Sequence, residues 1–275
     1  MKKVVLRVKG GLGNQLFIFA FGKFMQKELK YNVKYDLISG FLSNQYKHIQ
    51  TNKSLLTLFF KDLPKASVLE VVIFYFSKKF KILDFVNIKY LNKEYSDEIE
   101  IRNQINNPKF NYYLEGYFQS SLFTNSIIEE IINDIDLTSH LNYNDLILYD
   151  KIKSQNSVAI QIRVNDYEIS HDKSYFENAL KLFSHGNENF YLFSDNIDWC
   201  LNNIILPKKI EVIKTGCDIT DFAILTGCKS FILSIGTYGW WGAMLSNRNS
   251  KMIVAPKKEK LFLNENFYPE SWHLL

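Results

Sequence analysis

Arg163, Asn165 and Asp166 follow a short apolar run and stand where a chain could grip an anion. A guanidinium offers two parallel N–H donors to a phosphate, and a carboxylate beside it can orient the guanidinium or cap the next segment. Two more polar groups close short apolar runs in the same way, Ser194-Asp195-Asn196 and Ser234-Ile235-Gly236-Thr237. A fourth group, Gly11-Leu12-Gly13-Asn14-Gln15, lies between a β-branched run and an apolar repeat of helical spacing. Its backbone N–H groups and the helix N-terminus behind it suit an anion or a sugar hydroxyl, and a plain tight turn explains it equally. Leu16 stands where a dinucleotide loop needs its third glycine, and the GxxxxGK[ST] phosphate loop is absent.

Other chemistries find little support. Asp134-Ile135-Asp136 matches the short DxD pattern of metal-dependent sugar transferases, but it ends an amphipathic stretch, where a solvated helix is the plainer account. The five histidines show no metal-ligand spacing, and the three cysteines form no CxxC pair and no disulfide framework. No metal site is expected, and no GxSxG elbow occurs.

The elements that must hold these residues follow from periodicity. From residue 151 onward, strands are predicted over 157–163, 190–193, 210–214, 230–233 and 252–255, and helices over 173–183, 197–204, 220–226 and 238–245. That alternation implies a parallel, doubly wound sheet, in which ligands sit at the carboxyl ends of strands. All three polar groups of this half fall there. The opening reads as strand 3–8, helix 15–29 and strand 33–35, with a further strand over 112–114 and a helix over 126–135 capped by Ser126. Residues 71–76 read as a core strand, and the rest of 39–111 takes no assignment. The polar connection at 151–156 divides the chain into domains 1–150 and 151–275.

Composition bounds the class. A chain of 275 residues that is 47% hydrophobic has ample core for one or two domains, which excludes disorder as the main state. A net charge of +4 demands no nucleic acid, and the small Lys257-Lys258-Lys260 cluster lacks interleaved stacking aromatics. Arg7 and Lys9 interrupt the apolar N-terminus, so no signal peptide forms, and no run is long enough to span a bilayer. A soluble cytoplasmic protein is expected. Lys78-Lys79-Lys81 beside an aromatic run offers peripheral contact with an anionic inner-membrane face.

Six collinear segments carry a family resemblance: KGGLGNQLFIFAFG at 9–22, YYLEGYFQS at 112–120, VAIQIRVNDY at 158–167, FYLFSDNIDWC at 190–200, DFAILTGCKSFILSIGTYGWWGAML at 221–245 and IVAPKK at 253–258. Together they resemble the bacterial α-1,2-fucosyltransferases of glycosyltransferase family 11. The resemblance implies an α/β, GT-B-like fold of two Rossmann-like domains facing a cleft. It implies a C-terminal half that holds GDP-β-L-fucose and an N-terminal half that holds a galactose-containing glycan acceptor. Transfer would be inverting, α-1,2-linked, without a cofactor or divalent metal, in surface-glycan synthesis.

By the same resemblance Arg163, from the family's HxRRGD segment, holds the diphosphate and is the catalytic residue. Asp221 resembles the aspartate that reads guanine, and Thr237, with Gly236 and Tyr238 beside it, lies near the phosphates. Asp195 lies at a strand end close to the nucleotide, and Gly11, Gly13, Asn14 and Gln15 form the loop that faces the cleft. Gln161, Val164 and Asn165 stand where the motif has histidine, its second arginine and glycine, while Asp166 is retained. One cation fewer leaves another nucleotide-sugar donor, or a carbohydrate-binding homologue with impaired catalysis, as rival readings.

Overall fold

A computed structural model describes residues 3–42, 54–79, 88–92, 111–165, 173–183, 186–246, 252–257 and 266–275. The chain forms two compact units, Met1–Asp136 with Leu261–Pro269, and Leu137–Lys260 with Glu270–Leu275. The division falls between Asp136 and Leu137, ahead of the polar connection at 151–156. The C-terminal segment also returns to the first unit. There Ser121 donates its N–H to the Asn266 carbonyl at 2.6 Å, and Phe267 packs 5.9 Å from Phe17, between ring centroids.

The first unit is built on a four-stranded parallel sheet. Its strands are β1 (Lys3–Arg7), β2 (Asn32–Asp36), β3 (Ile88–Asn92) and β4 (Asn111–Glu115), in the order β2-β1-β4-β3. Val4, the centre of a β-branched run, pairs with Val33 on one side and Tyr112 on the other. Helix α1 (Leu12–Lys27) follows β1, and Leu16, Phe17, Ile18, Phe19, Ala20 and Phe21 are all buried. A helix apolar on every side must be covered on every side. The sheet covers one side of it. On another, α4 (Ser121–Asn125) brings Phe123 to 4.8 Å from Phe21 and 5.2 Å from Phe24.

Two local expectations are corrected. Residues 71–76 are not a strand but the middle of helix α3 (Val68–Lys79), which follows the short α2 (Leu56–Phe59). A reciprocal cap starts it: the Ser67 N–H donates to Glu70 Oε2 at 2.7 Å, and the Glu70 N–H donates to Ser67 Oγ at 3.2 Å. Val71 and Phe74, three residues apart, are both buried, and Phe74 packs with Val5 and stacks on Tyr113 of the sheet. Ser126 is not a helix N-cap either. It ends α4, whose true cap is Ser120, accepting from the Leu122 N–H at 3.2 Å; α5 (Ile128–Asp134) starts afterwards.

Gly40 lies under the end of β1, where a Cβ would overlap the Val8 carbonyl oxygen. A backbone oxygen cannot rotate away, so Gly40→Ala is expected to lose on the order of 1–3 kcal/mol of stability by overpacking. Urea unfolding should show a lower midpoint at an unchanged slope.

The second unit holds six parallel strands: β5 (Ser157–Ile162), β6 (Asn189–Ser194), β7 (Ile210–Ile213), β8 (Ser230–Leu233), β9 (Met252–Ala255) and β10 (His273–Leu274). Their order is β10-β9-β8-β5-β6-β7. The chain therefore runs outward from β5 through β7, then returns to the other side of β5 for β8. The crossovers are α7 (Lys173–Lys181), α8 (Ile197–Asn203), α9 (Asp218–Thr226) and α10 (Thr237–Leu245). All six β5 residues are buried, as a central parallel strand covered on both faces requires. Val158, Ile160 and Ile162 meet Phe176, Ala179 and Cys200 in one core. Phe222, Trp240 and Trp241 are also fully buried. Helix α6 (Tyr143–Ser154), absent from the sequence expectation, is capped by Asn142, which accepts from the Asp145 N–H at 3.0 Å.

Candidate active site

In a doubly wound sheet the ligand crevice opens where the strand order reverses, at the carboxyl ends of the two central strands. Here those strands are β5 and β8, and the backbone ties their ends together. The Ser234 N–H donates to the Gln161 carbonyl at 2.8 Å, and the Arg163 N–H donates to Ser234 Oγ at 2.8 Å. Arg163 thus leaves the sheet at the reversal point.

Asp195, beyond the end of β6, fixes that exit. Its Oδ1 accepts the Val164 N–H at 2.8 Å and its Oδ2 the Asn165 N–H at 3.2 Å. Oδ2 also lies 3.3 Å from Arg163 Nε, with side-chain exposures of 38% for Arg163 and 16% for Asp195. Both carboxylate oxygens are therefore engaged by the segment that carries Arg163.

Helix α10 starts on the other side of the reversal. Its N-cap is Gly236, at φ +147, a backbone region where glycine alone is at ease. No side chain caps the helix and no acid lies in its first turn, so among the described residues no carboxylate of the helix itself meets the N–H groups behind Thr237. Such a terminus favours an anion. Beneath it lies Gln161, which is buried, with an Oε1 that has no hydrogen-bond partner among the described residues. A Cβ on Gly239 would overlap that oxygen, so glycine at 239 is what lets the amide rise under the first turn.

The Tyr238 hydroxyl donates to the Asp218 carbonyl at 2.9 Å, and its ring meets Phe222 edge-on at 5.1 Å. Burial pushes the Tyr238 phenol well above its ordinary pKa, the charges of Asp221 and Asp218 push it further, and Arg163 pulls the other way.

Asp221 sits in the first turn of α9. Its Oδ1 accepts the Thr215 N–H at 2.9 Å and the Thr215 hydroxyl at 2.8 Å, holding the turn at Gly216 (φ +87). Its Oδ2 has no hydrogen-bond partner among the described residues. Burial raises the Asp221 pKa, the Thr215 hydrogen bonds lower it in part, and the charges of Asp218 and Asp145 add to the rise.

Gly11, Gly13, Asn14 and Gln15 belong to the first unit. Gly11 is the N-cap of α1 and Gly13 is buried within the helix. Gln15 is a staple: Nε2 donates to the Gly10 carbonyl at 2.8 Å, while Oε1 accepts the Leu55 N–H at 2.8 Å and the Ser54 hydroxyl at 3.2 Å. Asn14 Oδ1 accepts from Gln119 Nε2 at 2.8 Å. Asp134 of the DxD pattern is ion-paired with Lys23 at 2.7 Å. Among the described residues no group of three ligands could hold a metal ion. Asp166 lies outside the described residues.

The whole chain from residue 3 to 275 matches the family model described as Glycosyl transferase family 11. The chain belongs to glycosyl transferase family 11. As a member it is similar to the O-antigen biosynthesis glycosyltransferase WbnK of Escherichia coli, at 26% identity over 91% of this chain and 93% of that one. It is similar also to the α-1,2-colitosyltransferase of Escherichia coli, at 25% identity over 99% and 98%. Among solved structures it resembles the α-1,6-fucosyltransferase NodZ co-crystallised with GDP, at TM-score 0.54 and 13% identity over 89% and 92% of the two chains; NodZ has also been solved from Bradyrhizobium. The likeness is one of fold: α/β with parallel sheets, as in the GT-B fucosyltransferases.

In this glycosyltransferase, sequence reasoning singled out Arg163, Asp195, Asp221 and the Gly236 to Tyr238 turn, and the structure gathers them at the carboxyl edge of one sheet. It missed the supports. Ser234 was legible only as one polar residue in a strand-end group. Thr215, two residues past β7, carried no signal of its tie to Asp221 six residues on. Among the described residues no helix is long and apolar enough to cross a membrane.

Proposed function

We propose that this family 11 enzyme transfers L-fucose from GDP-β-L-fucose to the 2-hydroxyl of a terminal galactoside, with inversion, in surface-glycan (O-antigen) synthesis. The observation that carries the reading is Arg163, held by Asp195 and Ser234 at the strand-order reversal beside the uncapped N-terminus of α10. A diphosphate needs such a combination of one guanidinium and converging N–H groups. The acceptor oxygen attacks the anomeric carbon in line, a new C–O bond forms, and the bond to GDP breaks on the opposite face. Negative charge grows on the departing diphosphate, where Arg163 and the α10 N–H groups are already oriented to meet it. Thr237 and Gly236 line the phosphate turn, Gln161 offers its buried amide beneath it, and Asp195 holds Arg163 in place. The first unit, through its Gly11 to Gln15 loop, takes the acceptor. Arg163 and α10 supply the charge stabilisation in this reading, so no divalent metal is required.

The guanine falls to Asp221. Its unpartnered Oδ2 suits the N1–H and N2–H donors of that base. Asp221→Ala is expected to weaken GDP binding about tenfold or more, the scale of losing hydrogen bonds to a charged group. Calorimetry with unchanged GDP affinity would remove Asp221 from the base site. Because the Asp221 pKa is raised and only the carboxylate accepts, GDP affinity should fall as pH descends toward that raised value.

The family relative that acts as a colitosyltransferase covers 99% of this chain, so a colitosyl donor is the second reading. Incubation with GDP-fucose, other GDP- and UDP-sugars and a galactoside panel separates them by product and linkage. Fucosylated galactoside formed in EDTA supports the proposal. Transfer only from another nucleotide sugar, transfer only on adding Mn²⁺ or Mg²⁺, or glycan binding with no transfer from any donor would each overturn it.

A further inference from the structure

A cavity of about 550 Å³ lies wholly within the first unit. That volume is within the range of small-molecule sites. Three pieces of chain build it. Helix α1 gives Phe19, Lys23 and Gln26, whose spacing of four and three residues puts them on one face. The end of α2 and the segment after it give Phe59 to Pro64, and the end of α5 gives Asn133 to Asp136. Lys23 stands twelve residues along the chain from Gly11, about 18 Å of helix, so the cavity is separate from the glycine loop.

Its walls are fixed before any ligand arrives. The Tyr35 N–H donates to the Pro64 carbonyl at 2.8 Å, which pins one wall to β2. The Asp136 N–H donates to the Phe59 carbonyl at 3.1 Å, which joins that wall to the next. Phe19 and Phe60 stack at 3.9 Å between ring centroids and make an apolar floor. Lys23 is held by Asp134 at 2.7 Å, with its ammonium 5.7 Å from the Phe19 ring centroid. Gln26, Lys61, Asp62 and Asn133, by contrast, make no side-chain hydrogen bond or ion pair among the described residues. A rigid pocket with unspent donors and acceptors loses little ordering entropy on binding.

The lining also indicates the class of ligand. It carries two lysines, Lys23 and Lys61, and three aspartates, Asp62, Asp134 and Asp136. A phosphate would meet carboxylates there, and a cation would meet ammonium groups. An apolar ligand would take water from all of these groups and return no hydrogen bond. A sugar hydroxyl both donates and accepts, so one uncharged polyol serves carboxylate, amide and ammonium together. Its C–H face suits the Phe19 and Phe60 floor. Asp134 and Asp136 of the DxD pattern thereby become cavity wall.

We propose that this cavity is a second carbohydrate site, which holds an uncharged sugar residue of the acceptor glycan further along the chain from the galactose that is modified; that role, though not the binding itself, rests on the transfer reading. Calorimetry of the full chain without donor, using the uncharged tetrasaccharide lacto-N-tetraose and methyl β-galactoside, tests it. The tetrasaccharide should bind more tightly than the monosaccharide. Asp62→Ala with Asn133→Ala should weaken the tetrasaccharide about tenfold, the scale of two net hydrogen bonds, and leave methyl β-galactoside unchanged. Both side chains are exposed, so the circular-dichroism melt should hardly move. Lys61→Ala, a single exposed change expected to weaken the tetrasaccharide about threefold, keeps the test decisive if the pair unfolds. In transfer from GDP-fucose the pair should raise KM for the tetrasaccharide at unchanged kcat. The binding measurement needs no turnover, so absence of fucose transfer strikes the transfer reading and leaves the cavity standing. Tetrasaccharide binding unchanged by these variants, or no tighter than that of the monosaccharide, overturns the proposal. Equal weakening of both sugars would make the cavity the galactose site itself and overturn a second one.

Discussion

Arg163→Ala is expected to lower kcat/KM for sugar transfer about a hundredfold or more, the scale of removing one preorganised donor from a developing negative charge. Three observations point to so large an effect. Arg163 leaves β5 at the strand-order reversal, where the Ser234 hydroxyl and the Asp195 carboxylate fix its backbone. Its Nε edge is anchored 3.3 Å from Asp195, so the guanidinium does not need to be ordered when the donor arrives. The motif's second cation is Val164 here, which leaves Arg163 to carry what two arginines would share. The loss should fall mainly in kcat, because charge on the diphosphate grows as the bond to the sugar breaks. Arg163→Lys should restore little, since one ammonium cannot keep the Asp195 pair and also present two parallel donors. Arg163 is a partly exposed side chain outside the core, so the melting profile should hardly move. Transfer kinetics like those of the unmodified enzyme would withdraw the assignment.

The second unit was legible because its sequence is locally consistent. Short β-branched runs end in polar groups, helical repeats follow, and the predicted strands over 230–233 and 252–255 coincide with β8 and β9. Residues 71–76 misled because a run of apolar residues without polar interruption fits a buried strand as well as a helix. The deciding signal stood just upstream, where Ser67 and Glu70 form the reciprocal cap that starts α3. Ser126 misled in another way. It is a good cap residue by type, but the chain breaks there between α4 and α5, and Ser120 does the capping. The site shows the same division. A strand-end arginine and a glycine turn can be read from spacing. That Asp195 would spend both oxygens on the segment after β5, thirty residues earlier in the chain, depends on β5 and β6 being neighbours, which no local pattern specifies. Gln15 shows the converse: its place in a glycine loop suggests a ligand contact, while the fold engages both ends of its amide, Nε2 with the Gly10 carbonyl and Oε1 with Ser54 and Leu55.

Asp195→Ala is the second substitution with a large expected effect, and it separates two roles for that carboxylate. In the structure Asp195 meets protein donors with both oxygens, so in the proposed function it reaches the donor only through Arg163. Removing it leaves the Val164 and Asn165 N–H groups without their acceptor and frees the guanidinium to swing. The pair is partly exposed, which limits what its ion pair adds to stability, so most of the effect should appear in catalysis. A fall in kcat/KM of roughly tenfold to a hundredfold is expected, the range of hydrogen bonds to a charged group. Two residues acting as one unit do not add. The Arg163→Ala, Asp195→Ala double variant should therefore be hardly slower than Arg163→Ala alone. Asp195→Asn, which keeps one acceptor oxygen but sets an amide against a guanidinium, should fall between the unmodified enzyme and Asp195→Ala. Fully additive losses would mean that Asp195 touches the nucleotide on its own account. GDP affinity in Asp195→Ala then locates that contact, since a positioning residue should cost kcat more than ground-state binding, whereas a base- or phosphate-binding residue should cost both alike.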